Sequence, residues 1–172
     1  FISMLLWWCH SAADILEPYL VVLNSLPKTA LAPILIVWLG NNMKTIIVCG
    51  VTMAIFSTII NLYTAFIHID SDKLLLIKTL GGTRKDILRY IVLPASISAI
   101  VSNLKVNIGL CLVGVIIGEF LAANAGLGYL IIYGSQVFRL DYVMLSIIIL
   151  CILAMVLYQL LAFVEKRYHA NH

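Results

Sequence analysis

Two runs of 23 residues without a single charged side chain, Thr45–Ile67 and Tyr142–Val164, constrain this chain more than any other feature of it. A helix of that length, rising about 1.5 Å per residue, crosses the ~30 Å hydrocarbon core of a bilayer. Lipid offers no partner for backbone N–H and C=O groups, so such runs satisfy them internally, as helices. The composition agrees. Of 172 residues, 63% are hydrophobic and 11% charged, against about 25% charged in a soluble domain. The predicted fold class is all-α, a polytopic membrane helical bundle. The net charge of +3 is small and gives no nucleic-acid signal.

Two more apolar stretches are interrupted. Cys9–Glu17 forms a first polar break, and Pro18–Gly40 then carries Asn24, Ser25, Pro27, Lys28 and Pro33. Pro27 and Pro33 each remove a backbone donor. A broken helix is tolerated at membrane depth where protein or a wet cavity satisfies the freed groups. This stretch is therefore either a broken span facing the protein interior, with Pro27 and Pro33 as pathway candidates, or an ordinary kinked span with Lys28 near an interface. Asn41–Lys44 reads as a short turn. Ala95–Ala123 is the other interrupted span, with Lys105 and Glu119 in it. Asn124–Asp141 is a glycine-containing loop with a short helix-like run at Tyr129–Tyr133, and 165–172 form a polar tail. About four complete spans are expected. Phe1–Trp8, apolar but too short to cross, reads as the tail of a preceding one.

The most charged stretch, residues 72–94, lies between two spans. Leu74–Leu80 is an apolar block that includes Leu75 and Leu76, and Gly81-Gly82 breaks it, since glycine takes the positive φ of a helix C-terminus. Thr83 is placed to cap a second helix, with Asp86 three residues on in a capping-box pattern. Ile87, Leu88, Ile91 and Val92 then fall on one helical face while Arg84, Lys85 and Arg89 point elsewhere. Pro94 is expected to end the unit and start the next. An amphipathic helical hairpin outside the bilayer is not needed for crossing and suits docking to a partner.

Basic residues set the orientation. The hairpin carries Lys73, Lys78, Arg84, Lys85 and Arg89, and the tail Lys166 and Arg167, whereas the loops on the other side carry only Lys44 and Arg139. Positive-inside places the hairpin and the C-terminus in the cytoplasm.

Lys105 lies about 15 Å into its span, where an unpaired ammonium costs on the order of 3 kcal/mol. It either lines a pathway for an anionic solute or reaches headgroups or a structural partner. Glu119 is either an interfacial acid or a gate or docking contact. Gly114 and Gly118 form a GxxxG that permits close helix approach, within the chain or between two copies. Cys9, Cys49, Cys111 and Cys151 read as small hydrophobes, and His10, His68, His169 and His172 lie near segment ends. Trp7, Trp8 and Trp38 suit interface belts. No phosphate-cradling Gly-Lys-Ser/Thr occurs, so any ATP chemistry lies on another chain.

Gly81 followed by eleven residues and Leu93-Pro94, with Ile91 between, resembles the cytoplasmic loop signature of ABC-importer permeases. Leu75, Leu76 and Ile77 stand where that signature has Glu-Ala-Ala. Leu26-Pro27-Lys28-Thr29-Ala30-Leu31-Ala32-Pro33, ending in Val37-Trp38-Leu39-Gly40, looks like the third span of nitrate/sulfonate/taurine-type permeases. Gly118-Glu119-Phe120-Leu121 with Gly126-Leu127-Gly128-Tyr129-Leu130-Ile131 is similar to their external loop. The resemblance covers about Ala13 to Arg167. It implies one permease domain over 1–172, lacking about two N-terminal spans of a six-span subunit, with 72–94 as its coupling hairpin. It implies a multi-pass protein of a bacterial inner or plasma membrane that is not itself an enzyme. The implied partners are a second permease subunit (a homodimer), two cytoplasmic ATPases that hold the ATP and magnesium, an extracytoplasmic solute-binding protein and membrane lipid. Leu75, Leu76, Gly81, Ile87, Leu88, Ile91, Leu93 and Pro94 would form the ATPase-coupling surface, with the apolar face of Ile87, Leu88, Ile91 and Val92 in the ATPase groove. The solute would be small and anionic, of the nitrate, sulfonate or taurine class, or alternatively a thiamine-precursor pyrimidine. A secondary transporter is the nearer rival and a lipid-acting membrane enzyme the more distant one. The first would need coupling-ion ligands at the midplane and the second paired acids or a His/Cys site, and the chain offers neither pattern.

Overall fold

Proline, glycine and asparagine set the boundaries of the helices. The computed structural model describes the backbone of residues 1–170 and their side chains except at positions 10, 71, 78, 164 and 167–170. The expectations on His10, Lys78, Arg167, His169 and His172 lie outside the described residues. Among the described residues the chain is helical, without strands. Helix α1 spans Ile2–Trp8 and α2 His10–Ser25. The expected polar break at Cys9–Glu17 narrows to Cys9 alone, in extended backbone, because exposed Asp14 and Glu17 sit on the outer side of α2 without interrupting it. Pro18 lies inside that helix.

The apolar stretch breaks at Leu26-Pro27, and α3 runs Lys28–Leu39 with Pro33 inside it. Asn42 closes one helix and opens the next. Its Nδ2 donates to Leu39 O at 2.7 Å, and its Oδ1 accepts from the N–H groups of Lys44 and Thr45 at 2.9 and 3.3 Å. This is the N-cap chemistry expected of asparagine. Helix α4 follows as Met43–Ile67, then α5 as Ser71–Thr79 and α6 as Arg84–Ile87. A π-helical turn, Leu88–Val92, leads into α7, Leu93–Ala95, and after Ser96 into α8, Ile97–Ala122. Pro94 therefore does not end the unit. Proline has no N–H and its ring crowds the carbonyl four residues back. The wider turn before it, closed by Leu93 N–H on Leu88 O, lets the helix run on to Ser96. Helix α9 is Leu127–Gln136, longer than the run predicted at Tyr129–Tyr133, and α10 is Leu140–Ala170, which absorbs the start of the expected tail. Among the described residues three helices are long and apolar enough to cross a membrane: α4, α8 and residues Leu140–Phe163 of α10. The count reaches four if α2 and α3 form one broken span.

The chain divides into two compact units, Phe1–Ser25 with Phe56–Leu104, and Leu26–Ile55 with Lys105–His172. In the first, Ser3 Oγ donates to Ile59 O at 3.1 Å. One core gathers Leu6, Ala13, Ile59 and Tyr63, and another Phe66, Ile87 and Val92. In the second unit, glycines let two helices touch backbone to backbone. A Cβ on Gly114 would lie 2.6 Å from Cys49 O and 2.7 Å from Gly50 Cα, and one on Gly118 would lie 3.0 Å from Ile46 Cα. The Gly114/Gly118 pair thus makes its close contact within the chain. The four cysteines are unpaired, Cys49 buried and Cys9 and Cys151 exposed.

Gly109 on the same helix has open space at its Cβ position. Gly114→Ala is therefore expected to lower stability by about 1–3 kcal/mol through overpacking. Gly109→Ala should leave it unchanged or raise it by up to about 1 kcal/mol. Thermal unfolding of the two variants in detergent checks the contrast.

Candidate functional site

The hairpin between α4 and α8 lies wholly in the first unit. Its turn is built as glycine chemistry requires. Gly81 takes φ 79°, and Gly82 N–H closes onto Ile77 O at 2.9 Å. Thr83 caps α6 in a reciprocal box. Its N–H donates to Asp86 Oδ2 at 2.8 Å, while Asp86 N–H reaches Thr83 Oγ1 at 3.4 Å. The Thr83 hydroxyl, its backbone N–H and, more weakly, Arg89 hold the Asp86 carboxyl below its ordinary range.

The side chains divide between core and surface differently from the sequence expectation. Ile87, 4% exposed, and Val92, fully buried, turn inward onto Phe66, with Leu88 packed against the same cluster. They form the unit's own core rather than an outward docking face. The periodicity marks a face correctly but does not say what covers it, and here Phe66, Met4, Trp7 and Leu62 do. The outward surface is instead Leu75, Leu76, Leu80 and Tyr90, with Leu80 75% exposed. Leu80 and Tyr90 extend this surface beyond the residues expected from the sequence. Ile91 is half-buried and Pro94 exposed, and both line a groove of about 390 Å³ with Leu76, Ile77, Tyr90 and Lys73. Leu93 is half-buried. Arg84 points away from that core, and its Nη1 donates to Trp8 O, at the C-terminal end of α1, at 3.4 Å.

The pathway candidates fall in the second unit. Pro27 is the N-cap of α3 and Pro33 lies within it. Glu119, near the end of α8, meets the N-terminus of α9, where Gly128 N–H donates to its Oε2 at 2.7 Å. Unpaired N–H groups and the helix dipole favour a carboxylate there. Two glycines, Gly126 before α9 and Gly128 in its first turn, make room for it. Gly126 sits at φ 121°, and a Cβ on it would lie 2.6 Å from the Glu119 carboxylate carbon; one on Gly128 would lie 2.8 Å from Glu119 Cβ. Lys105 forms an ion pair with Glu165 on α10, and its Nζ lies 5.8 Å from the centre of the Tyr158 ring. Among the described residues no three His, Cys, Asp or Glu side chains gather as a metal site would require.

Long apolar helices joined by a hairpin and a capped loop define a polytopic membrane protein. The chain matches the family model described as binding-protein-dependent transport system inner membrane component over residues 10–170, and it belongs to that family. The family is one of membrane transport components, not of enzymes. A probable ABC transporter permease protein of Haemophilus influenzae is 28% identical over 156 residues, 91% of this chain and 64% of that protein. A formylaminopyrimidine transport permease protein of Halalkalibacterium halodurans is 27% identical, over 74% of this chain and 51% of its own length. A putative aliphatic sulfonates transport permease protein of Escherichia coli is 24% identical, over 81% and 53%. The chain thus spans between half and two-thirds of the length of these relatives.

Two outcomes follow from the hairpin. Ile87→Ala empties part of its core and is expected to cost about 2–5 kcal/mol, whereas Leu80→Ala on the surface should stay within about 0.5 kcal/mol; unfolding midpoints of both variants test this. Because the Asp86 carboxyl is held low in the folded state, its stabilising contribution is present above the ordinary carboxylate value near 4 and is lost as pH falls through the lower folded value. The protection of the Arg84 to Ile87 amides against hydrogen exchange, relative to their intrinsic rates at each pH, should therefore fall below about pH 4, and Asp86→Asn should remove that loss.

Proposed function

We propose that this chain is the pathway-forming part of a permease subunit of an ATP-binding-cassette importer. The observation that carries the reading is an apolar surface displayed outside the spans, Leu75, Leu76, Leu80 and Tyr90, on a hairpin carrying exposed Lys73, Lys85 and Arg89. Burying such a surface on a partner removes apolar area from water, and the chain itself carries no nucleotide-binding loop. The partner is a cytoplasmic ATPase, which holds the ATP and magnesium. The hairpin and the C-terminus face the cytoplasm of a bacterial inner membrane, as the basic residues favour. Closure of the ATPase pair moves the hairpins of two permease subunits, a homodimer, and an extracytoplasmic binding protein delivers the solute on the other side. Leu75, Leu76 and Gly81, with Ile91 and Pro94 along the groove, form the docking side. Ile87 and Leu88 support it from beneath.

For the solute, the nitrate, sulfonate and taurine class agrees with the printed name of the Escherichia coli relative, and a pyrimidine with that of the Halalkalibacterium relative. Both are small and polar.

The test is copurification of the ATPase with the intact subunit. Leu76→Asp places a carboxylate in the apolar contact and should abolish copurification and solute-stimulated ATP hydrolysis, while the subunit still inserts in the membrane. Wild-type copurification with Leu76→Asp sinks the assigned docking surface.

A further inference from the structure

Both charged side chains of α8 are already engaged in the second unit, Glu119 with the N-terminus of α9 and Lys105 with Glu165. We infer that Lys105 and Glu165 are a positioning pair that fixes α8 to α10 for transport, and that Lys105 is not a ligand of the solute.

The placement supports this. Lys105 lies eight residues after the start of α8, within the apolar span. Glu165 lies two residues past Phe163, where the apolar stretch of α10 ends. Each side chain is about one-fifth exposed, at 22% and 23%. Tyr158 and Glu165 are seven residues apart, two turns of one helical face, so α10 presents an aromatic ring and a carboxylate to the same ammonium. The pair is therefore three-part: a charge, its counter-charge and a ring face that favours a cation. An ammonium in a span is tolerated when it is paired. Once paired in this way, its field is largely cancelled for anything else nearby. The contact also links segments 60 residues apart, so it constrains the helix that leads out of the hairpin. A motion transmitted along α8 carries the cytoplasmic-side end of α10 with it. The transport element of this inference rests on the permease reading above, but the pair itself does not.

The experiment is a charge-reversal cycle in the intact subunit assembled with its ATPase: Lys105→Gln, Glu165→Gln, and the double exchange Lys105→Glu with Glu165→Lys. Solute uptake is measured at several concentrations and normalised to membrane-inserted subunit. Both single variants are expected to lose maximal uptake to a similar degree with KM unchanged, and the exchange to recover most of the loss. Unfolding midpoints of the same variants in detergent should show the same pattern: two lowered values and a recovered one. That readout needs no transport. Absence of uptake by the wild type would therefore count against the permease reading, while the midpoints still judge the pair. A rise in KM confined to Lys105→Gln, with Glu165→Gln behaving as wild type, overturns the inference and makes Lys105 a solute ligand. Additive midpoint losses without recovery in the exchange also overturn it.

Discussion

Everything in the second unit depends on how closely two helices can approach without side chains between them. In a bilayer, apolar surface gains little by leaving lipid, so helix association rests on close contact between backbones. Gly50 on α4 and Gly114 and Gly118 on α8 supply it. At Gly114 the two main chains are so close that even a methyl group has no room. At the residue after Gly118, α8 presents Glu119 to the N-terminus of α9, and nearer its start it presents Lys105 to α10. The glycine contact anchors the one helix from which both polar contacts are made.

The hairpin shows a different economy. One short helical stretch, 84–95, supplies a core on its inner side and borders a groove on its outer side. Ile87 and Val92 hold it against Phe66, and Thr83 and Asp86 fix where it starts. Because the inner side is committed to the fold, the apolar surface left open is that of α5 and the exposed edge at Tyr90. The absence of an acid at Leu75–Ile77 makes that surface apolar, with lysine and arginine around it.

Much of this architecture was legible beforehand. The uncharged runs lie inside α4 and α10, and the turn at Gly81 and the Thr83 cap stand where the local chemistry puts them. The membership of the permease family was legible in the motifs around Pro27, Gly81 and Glu119. What the sequence could not reveal has physical causes. Hydrophobic periodicity at Ile87, Leu88, Ile91 and Val92 identifies a face but not its neighbour. Charges at Asp14 and Glu17 look like a break although they merely face outward from α2. The turn between α9 and α10 closes through Phe138 at φ 56°, a conformation that usually calls for glycine. The π-helical turn before Pro94 has no residue signature. The partner of Lys105 is 60 positions away and only the fold brings it near.

The cradle around Glu119 bears on the order in which the chain is assembled. Its acid is synthesised before the two glycines that accommodate it, and Gly128 follows only nine residues later. Local contacts of this kind close early, because little chain entropy is lost in bringing their ends together. The turn between α8 and α9 can thus fold with α10 still unmade. α9 is then already oriented when α10 arrives to pack on it. The ion pair of Lys105 with Glu165, whose partners are 60 residues apart, forms only after α10 has been made.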